Sequence, residues 1–149
     1  MLDFFKQFGT DNTVDEHRHY LVTPRDVTSV VVGLLRYDLD SVNVLEALTH
    51  EAQRIFRDRL VGQDSCTRFD NQWTNMIRSE WKEKVDLTNG VFATWLHISS
   101  EEDSDASPSG VKLLGKGTLE DLKAFVEDGK VKYEREFKEL NMLLFPEIV

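Results

Sequence analysis

Thr23-Pro24-Arg25-Asp26, running on through Val27 to Tyr37, is the best-specified helix start in the chain. Thr23 suits the N-cap position, where its hydroxyl can accept from an orphan backbone N–H of the first turn. Pro24 suits the first helical position, since the N–H it lacks would have no partner there. Proline also pushes the residue before it into extended geometry, as an N-cap requires. Asp26, three residues after Thr23, predicts a shortened capping box. Val27, Val30, Val31 and Leu34 then recur at helical spacing and predict a buried stripe. Arg25 breaks the pattern, because a cation in the first turn opposes the helix dipole. Either it is merely solvated or something negative stands in front of it. A helix N-terminus with an arginine beside it suits a phosphate.

Upstream, Leu2, Phe4, Phe5 and Phe8 read as a short amphipathic helix closed by Gly9, and Thr10 to Arg18 as a polar loop. The Thr23 helix is expected to fade near Asp38. Ser41 is expected to cap the next helix, with Leu45, Leu48, Ala52, Ile55, Phe56 and Leu60 on one stripe and Gly62 as its stop. Phe69, Trp73, Met76 and Ile77 place a further helix between Asp64 and Trp81. Val91 to Ile98 is apolar and partly β-branched, fitting a short strand or extended segment. Ser99 to Gly110 is acidic and serine-rich with Pro108, and is expected to be an exposed, mobile loop. Thr118, with Asp121 three residues on, is expected to cap the longest helix. Its stripe is Leu119, Leu122, Val126, Tyr133, Phe137 and Leu140, and Gly129 on that stripe predicts a close backbone approach. Asn141 to Val149 reads as the start of one more helix. The whole of 1–149 is expected to form one domain, with 99–110 as its mobile loop.

The chain has 149 residues, enough for one domain with a real core. A formal net charge of -9 argues against nucleic acid as a partner, and equally against an anionic membrane surface. No apolar run approaches the roughly 20 residues of a membrane-spanning helix. Cys66 is the single cysteine, so an internal disulfide and a thiolate metal cluster are both excluded. Met1 already belongs to an apolar turn and Pro146 to Val149 closes on an apolar run, so a piece of a longer chain is expected.

Few motifs carry chemistry. Gly110, Gly115 and Lys116 match most of a phosphate-loop pattern, but Gly117 stands where a Ser or Thr is required and no buried strand precedes it. His50-Glu51 opens like a zinc motif, yet Arg54 replaces the second histidine. His17 and His19 lie in a loop without a carboxylate pattern behind them. No G-x-S-x-G stretch exists, and nothing places a nucleophile beside a base. No catalytic or metal-ligating residue is therefore expected. Arg54, Arg57, Asp58 and Arg59 form a dense cluster that reads as a solvated face of weak ion pairs or as a docking face towards a neighbouring domain.

His19-Tyr20-Leu21-Val22-Thr23-Pro24-Arg25-Asp26-Val27-Thr28, Gly33-Leu34-Leu35-Arg36-Tyr37-Asp38-Leu39, His50-Glu51-Ala52, Arg54 and Phe56 to Val61, taken in order, resemble a dynein heavy chain. Thr94-Trp95, Leu114-Gly115-Lys116, Asp121-Leu122-Lys123, Tyr133, Leu143-Leu144-Phe145 and Glu147 continue the match over nearly the whole chain. Within the family, Arg36 to Leu39 and Leu114 to Lys116 are most similar to the dynein 2 branch, the motors of retrograde intraflagellar transport.

The resemblance implies a mainly α fold: the small helical lid of the third AAA+ module, of about five helices, with a short extended segment and one acidic disordered loop. It implies that Walker and sensor 1 elements precede Met1 and that the microtubule-binding stalk follows Val149. Arg25 matches the sensor 2 arginine, which contacts nucleotide phosphates of its own module. The implied cofactor is ATP or ADP, with Mg, in the parent module and none on the isolated segment. The implied partners are its own large AAA+ subdomain and neighbouring AAA+ modules. Microtubules and dynein light and intermediate chains would be reached through other parts of the parent, in cytoplasm, cytoskeleton and cilium. Arg54, Arg57 and Arg59 are kept as a docking surface. The rival reading is a free-standing helical adaptor that binds partner helices through its Phe-rich and Arg-rich faces.

Overall fold

A computed structural model of the chain describes residues 2–11, 17–85, 90–95 and 113–140. The chain divides into two compact units, Met1–Leu87 and Thr88–Val149. Among the described residues it is mainly helical, with five α-helices and one pair of short strands.

The first unit is built around aromatic rings. Helix α1, Leu2–Asp11, buries Phe4, Phe5 and Phe8. It continues past Gly9, whose position would admit a Cβ at ordinary contact distance from Val22. Helix α2, Pro24–Gly33, tightens into a 3-10 turn over Leu34–Arg36. Helix α3, Val44–Ala52, runs into a π-helical turn at Gln53–Arg57. Helix α4 covers Gln63–Trp81. Its start turns at Gly62, whose φ of 86° lies in the left-handed region that glycine enters at little cost. Phe5 meets Phe56 at 4.7 Å between ring centroids, Phe8 meets Phe69 at 5.6 Å, and Phe69 stacks on Trp73 at 5.9 Å. Val30, Leu45, Leu48, Ala52 and Ile77 fill the space between them. Each large side chain buried here contributes about 1.5–3 kcal/mol. The indole N–H of Trp73 donates to Thr49 Oγ1 at 3.0 Å, so the one polar atom of that ring is satisfied in the core.

The stripes expected of α2, α3 and α4 are those that pack, except that Val31 faces outward. Ser41 does not cap α3. Its hydroxyl is taken by Asp38, at 2.7 Å from Oδ2, in a turn pinned by buried Val42. Asn43 caps instead, its side chain accepting from Leu45 N at 2.8 Å.

In the second unit, strand β1, Val91–Ala93, pairs antiparallel with β2, Gly115–Gly117, with Phe92 opposite Lys116. Helix α5, Leu119–Glu136, opens with the expected box: Thr118 accepts from Asp121 N and Asp121 reaches back to Thr118 N at 2.9 Å. With 18 residues it is one shorter than the 19 of α4, so it is not the longest helix described. No residue of α5 is buried. Gly129 has no described atom within 4 Å of where a Cβ would stand, so the expected close approach is absent among the described residues. Trp95 stacks on Phe125 at 4.1 Å between centroids. The loop Ser99 to Gly110, the segment Asn141 to Val149 and residues 96–98 of the apolar run lie outside the described residues.

Candidate functional site

The start of α2 is specified by a closed set of hydrogen bonds. Thr23 N donates to Asp26 Oδ2 at 2.7 Å and Thr23 Oγ1 donates to the same oxygen at 2.7 Å. Asp26 N in turn donates to Thr23 Oγ1 at 3.4 Å. The other carboxylate oxygen, Oδ1, accepts from Arg59 Nη2 at 3.1 Å. Burial works to raise the Asp26 carboxyl. The hydrogen bonds from the Thr23 side chain and backbone and from Arg59, together with the Arg59 charge, outweigh it and hold the group below its ordinary value. Asp26 is therefore a carboxylate at neutral pH, and its charge is already matched.

Arg25 sits between these anchored residues with an exposed side chain, and it makes no hydrogen bond or ion pair with any described residue. Asp26, its immediate neighbour, is occupied by Thr23 and Arg59. A guanidinium in the first turn of a helix, unmatched by any described acid of its own unit, can meet an anion bidentately. One arginine in water cannot hold a triphosphate. The arrangement suits one wall of a site whose remaining walls come from elsewhere.

The arginine cluster is divided in its contacts. Arg54 stays near the surface and pairs with Asp58 at 3.0 Å, both side chains substantially exposed. Arg57 makes two bonds to Asp70, Nε to Oδ1 at 2.7 Å and Nη2 to Oδ2 at 3.0 Å, tying the π-helical turn to α4. That bonding, against the opposing effect of burial, raises the Arg57 guanidinium above its ordinary value. Arg59 is turned inward onto Asp26 and lies 5.6 Å from the centre of the Phe56 ring. Arg57 and Arg59 are thus internal braces, and spacing alone could not distinguish them from Arg54.

His50-Glu51 is engaged in a different way from a zinc motif. Glu51 is buried on α3, and its carboxylate accepts from Arg36 Nη2 at 2.7 and 2.6 Å and from the Tyr37 hydroxyl at 2.6 Å. Tyr37 has one hydroxyl proton and gives it to Glu51. The 2.6 Å contact with His50 Nδ1 therefore needs the hydrogen on that nitrogen. Burial, and then the Arg54 charge, lower the His50 imidazole below its ordinary value, so it is neutral at pH 7. Burial and the Glu51 bond push the Tyr37 phenol far up. Gly33 of α2 lies against this carboxylate; a Cβ there would run into it. The missed signal was an acid set between Leu48, Ala52 and Ala47 on an otherwise apolar stripe, with Arg36 and Tyr37 upstream. Gly115 and Lys116 lie in strand β2, on an antiparallel ladder instead of the phosphate-cradling turn that the motif needs at these positions, while Gly110 lies outside the described residues.

Comparison with known proteins agrees with this helical first unit. Residues 1–66 match the family model described as the ATPase lid domain of dynein heavy chain. Over its whole length the chain is 37% identical to cytoplasmic dynein 2 heavy chain 1 of Tripneustes gratilla and 34% identical to that of Mus musculus. Over 58% of its length it is 29% identical to a cytoplasmic dynein heavy chain of Eremothecium gossypii. It spans about 4% of the length of the first two relatives and 2% of the third.

Proposed function

Since the chain belongs, through its residues 1–66, to the dynein heavy-chain family and carries that family's ATPase lid, we propose that it relays nucleotide state within a motor. The lid is that of the third AAA+ module, in the minus-end-directed microtubule motor of retrograde intraflagellar transport. Similarity to dynein 2 heavy chains along the whole chain supports the branch, and the third module is what the family resemblance of the sequence implies. The single observation that carries the relay is Arg25. It is held in the first turn of α2 by residues on both sides, exposed and unmatched among the described residues.

The mechanism is a two-state balance. With ATP in the parent module, Arg25 meets a terminal phosphate; with ADP or an empty site that contact is weaker or gone. The lid then has a different affinity for its large subdomain in each state, and that difference moves a rigid helical body. The aromatic core makes the first unit stiff enough to act as one piece. The motion passes to the neighbouring module and gates the main hydrolytic site. ATP or ADP, with Mg, belongs to the parent module, and the large AAA+ subdomain and adjacent modules are the direct partners. Arg54, the exposed member of its cluster, is the cation of the Arg54, Arg57, Arg59 group that remains open to a neighbour. Microtubules and dynein light and intermediate chains are reached through the rest of the parent, in cytoplasm, cytoskeleton and cilium.

Arg25→Ala in the complete motor tests this. Folding should be nearly unchanged, since a substitution at an exposed site with no ion pair among the described residues alters stability by less than about 0.5 kcal/mol. Microtubule release should lose its dependence on the nucleotide held by the third module. Unchanged motility and ATPase would show that Arg25 does not contact phosphate. Calorimetry on the 149-residue chain alone should detect no tight ATP binding.

A further inference from the structure

We propose that Arg59 is the positioning residue for Arg25: it anchors both flanks of the helix start that carries Arg25 and cancels Asp26, the acid next to it in sequence. This rests on the reading of Arg25 as a phosphate contact and goes beyond it.

Arg59 lies in the turn after the π-helical segment, far from Arg25 in sequence, and its guanidinium reaches three acceptors. Nη2 donates to Asp26 Oδ1 at 3.1 Å, Nη1 donates to Leu21 O at 3.1 Å, and Nε donates to Ile55 O at 2.6 Å. Asp26 follows Arg25 directly, and Leu21 precedes the Thr23 cap. Val61 N adds a second clamp by donating to the hydroxyl of buried Tyr20 at 2.8 Å. The segment 55–61 thus grips the chain on both sides of Arg25 while leaving Arg25 itself free to project.

Two physical consequences follow. First, direction: the first turn of a helix frays when its flanks are loose, and a swing of its backbone would carry the Arg25 guanidinium off target. Second, charge: without Arg59, the Asp26 carboxylate would be left beside Arg25, drawing the guanidinium to itself and repelling a phosphate. A lysine could supply the charge but not the fork of separate N–H directions that reaches Asp26, Leu21 and Ile55 together. The third arm also gives the helix start a route into the lid, because Ile55 belongs to the π-helical turn that Arg57 ties to α4. A phosphate pulling on Arg25 is therefore resisted by the body of the lid instead of a loose end.

The test is a double-mutant cycle in the complete dynein heavy chain, read as the fold-change in microtubule-release rate between ATP and ADP. Arg59→Ala should shrink that fold-change as Arg25→Ala does, by about 5-fold or more, the size of a typical allosteric coupling. Arg25→Ala with Arg59→Ala together should shrink it no further than Arg25→Ala alone. Arg59→Lys, which keeps the charge beside Asp26, should recover part of the response and serves where Arg59→Ala does not fold. A purely structural brace would instead give losses that multiply in the double variant. Multiplying losses, or a full response in a folded Arg59 variant, would overturn the positioning role and leave the Arg25 reading standing. A full response in Arg25→Ala would overturn both.

Discussion

Thr23 and Thr118 open their helices with the same box, each hydroxyl bonded to an aspartate three residues on, yet the two helices are held very differently. Behind Thr23, α2 buries Val30 in the aromatic core of the first unit and Gly33 against the Glu51 carboxylate, and Asp26 is tied down by Arg59. Behind Thr118, α5 buries no residue; Phe125, Val131, Tyr133 and Phe137 all stay substantially exposed. Asp121 is fully exposed, its carboxyl lowered by the hydrogen bonds from the Thr118 side chain and backbone. The same local chemistry therefore ends in a packed lever in one unit and a solvent-facing helix in the other. A cap decides where a helix begins, and burial decides how strongly it is kept.

The widest gap between the units should show at their rings. Trp73→Ala removes a fully buried indole and leaves Thr49 without its donor, so the first unit should lose about 3–5 kcal/mol in urea unfolding followed by circular dichroism. Phe125→Ala, half exposed in the second unit, should cost under about 1.5 kcal/mol, the scale of one aromatic pair. Equal losses would erase the contrast. Next in size is Gly33→Ala, which drives a methyl into the Glu51 carboxylate and should cost about 1–3 kcal/mol. Gly129→Ala, where no described atom is near, should instead stabilise α5 by up to about 1 kcal/mol. A silent Gly33→Ala would mean that Glu51 yields freely.

Thr23→Ala and Thr118→Ala should each cost about 1 kcal/mol. The first should move the cooperative midpoint of the first unit, whereas the second should reduce helix content with no shift in that midpoint. The smallest effect is acid sensitivity at Asp26. Its folded carboxyl lies below the ordinary value of 3.8, so the stability it adds is present above that pH and lost as pH falls through the folded value. Asp26→Asn should flatten that part of the acid-unfolding curve. An unaltered acid limb would detach Asp26 from the brace at the start of α2.

The helix starts at Thr23 and Thr118, and the apolar spacing of α2, α3 and α4, were legible because caps and periodicity are properties of neighbouring residues. So was the dynein likeness, which rests on many short matches in order. The cap at Ser41 was misplaced because Asn43 competes within two residues and Asp38 claims the serine hydroxyl. The π-helical turn at Gln53–Arg57 left no pattern that periodicity could single out.

From the chain alone came the starts of α2 and α5, the buried faces of α2, α3 and α4 apart from Val31, the acidic charge, and an arginine placed against its own helix dipole, whereas the stripe expected of α5 stays unburied. Only the tertiary structure decided which of the clustered arginines face inward, because Arg57 and Arg59 find Asp70 and Asp26 across segments distant in sequence. It also decided that Glu51 is buried with Arg36 and Tyr37 as its donors. The reason is physical: capping and periodicity act over one turn of chain, whereas pairing a buried or half-buried charge depends on which acid the folded backbone carries within hydrogen-bonding reach.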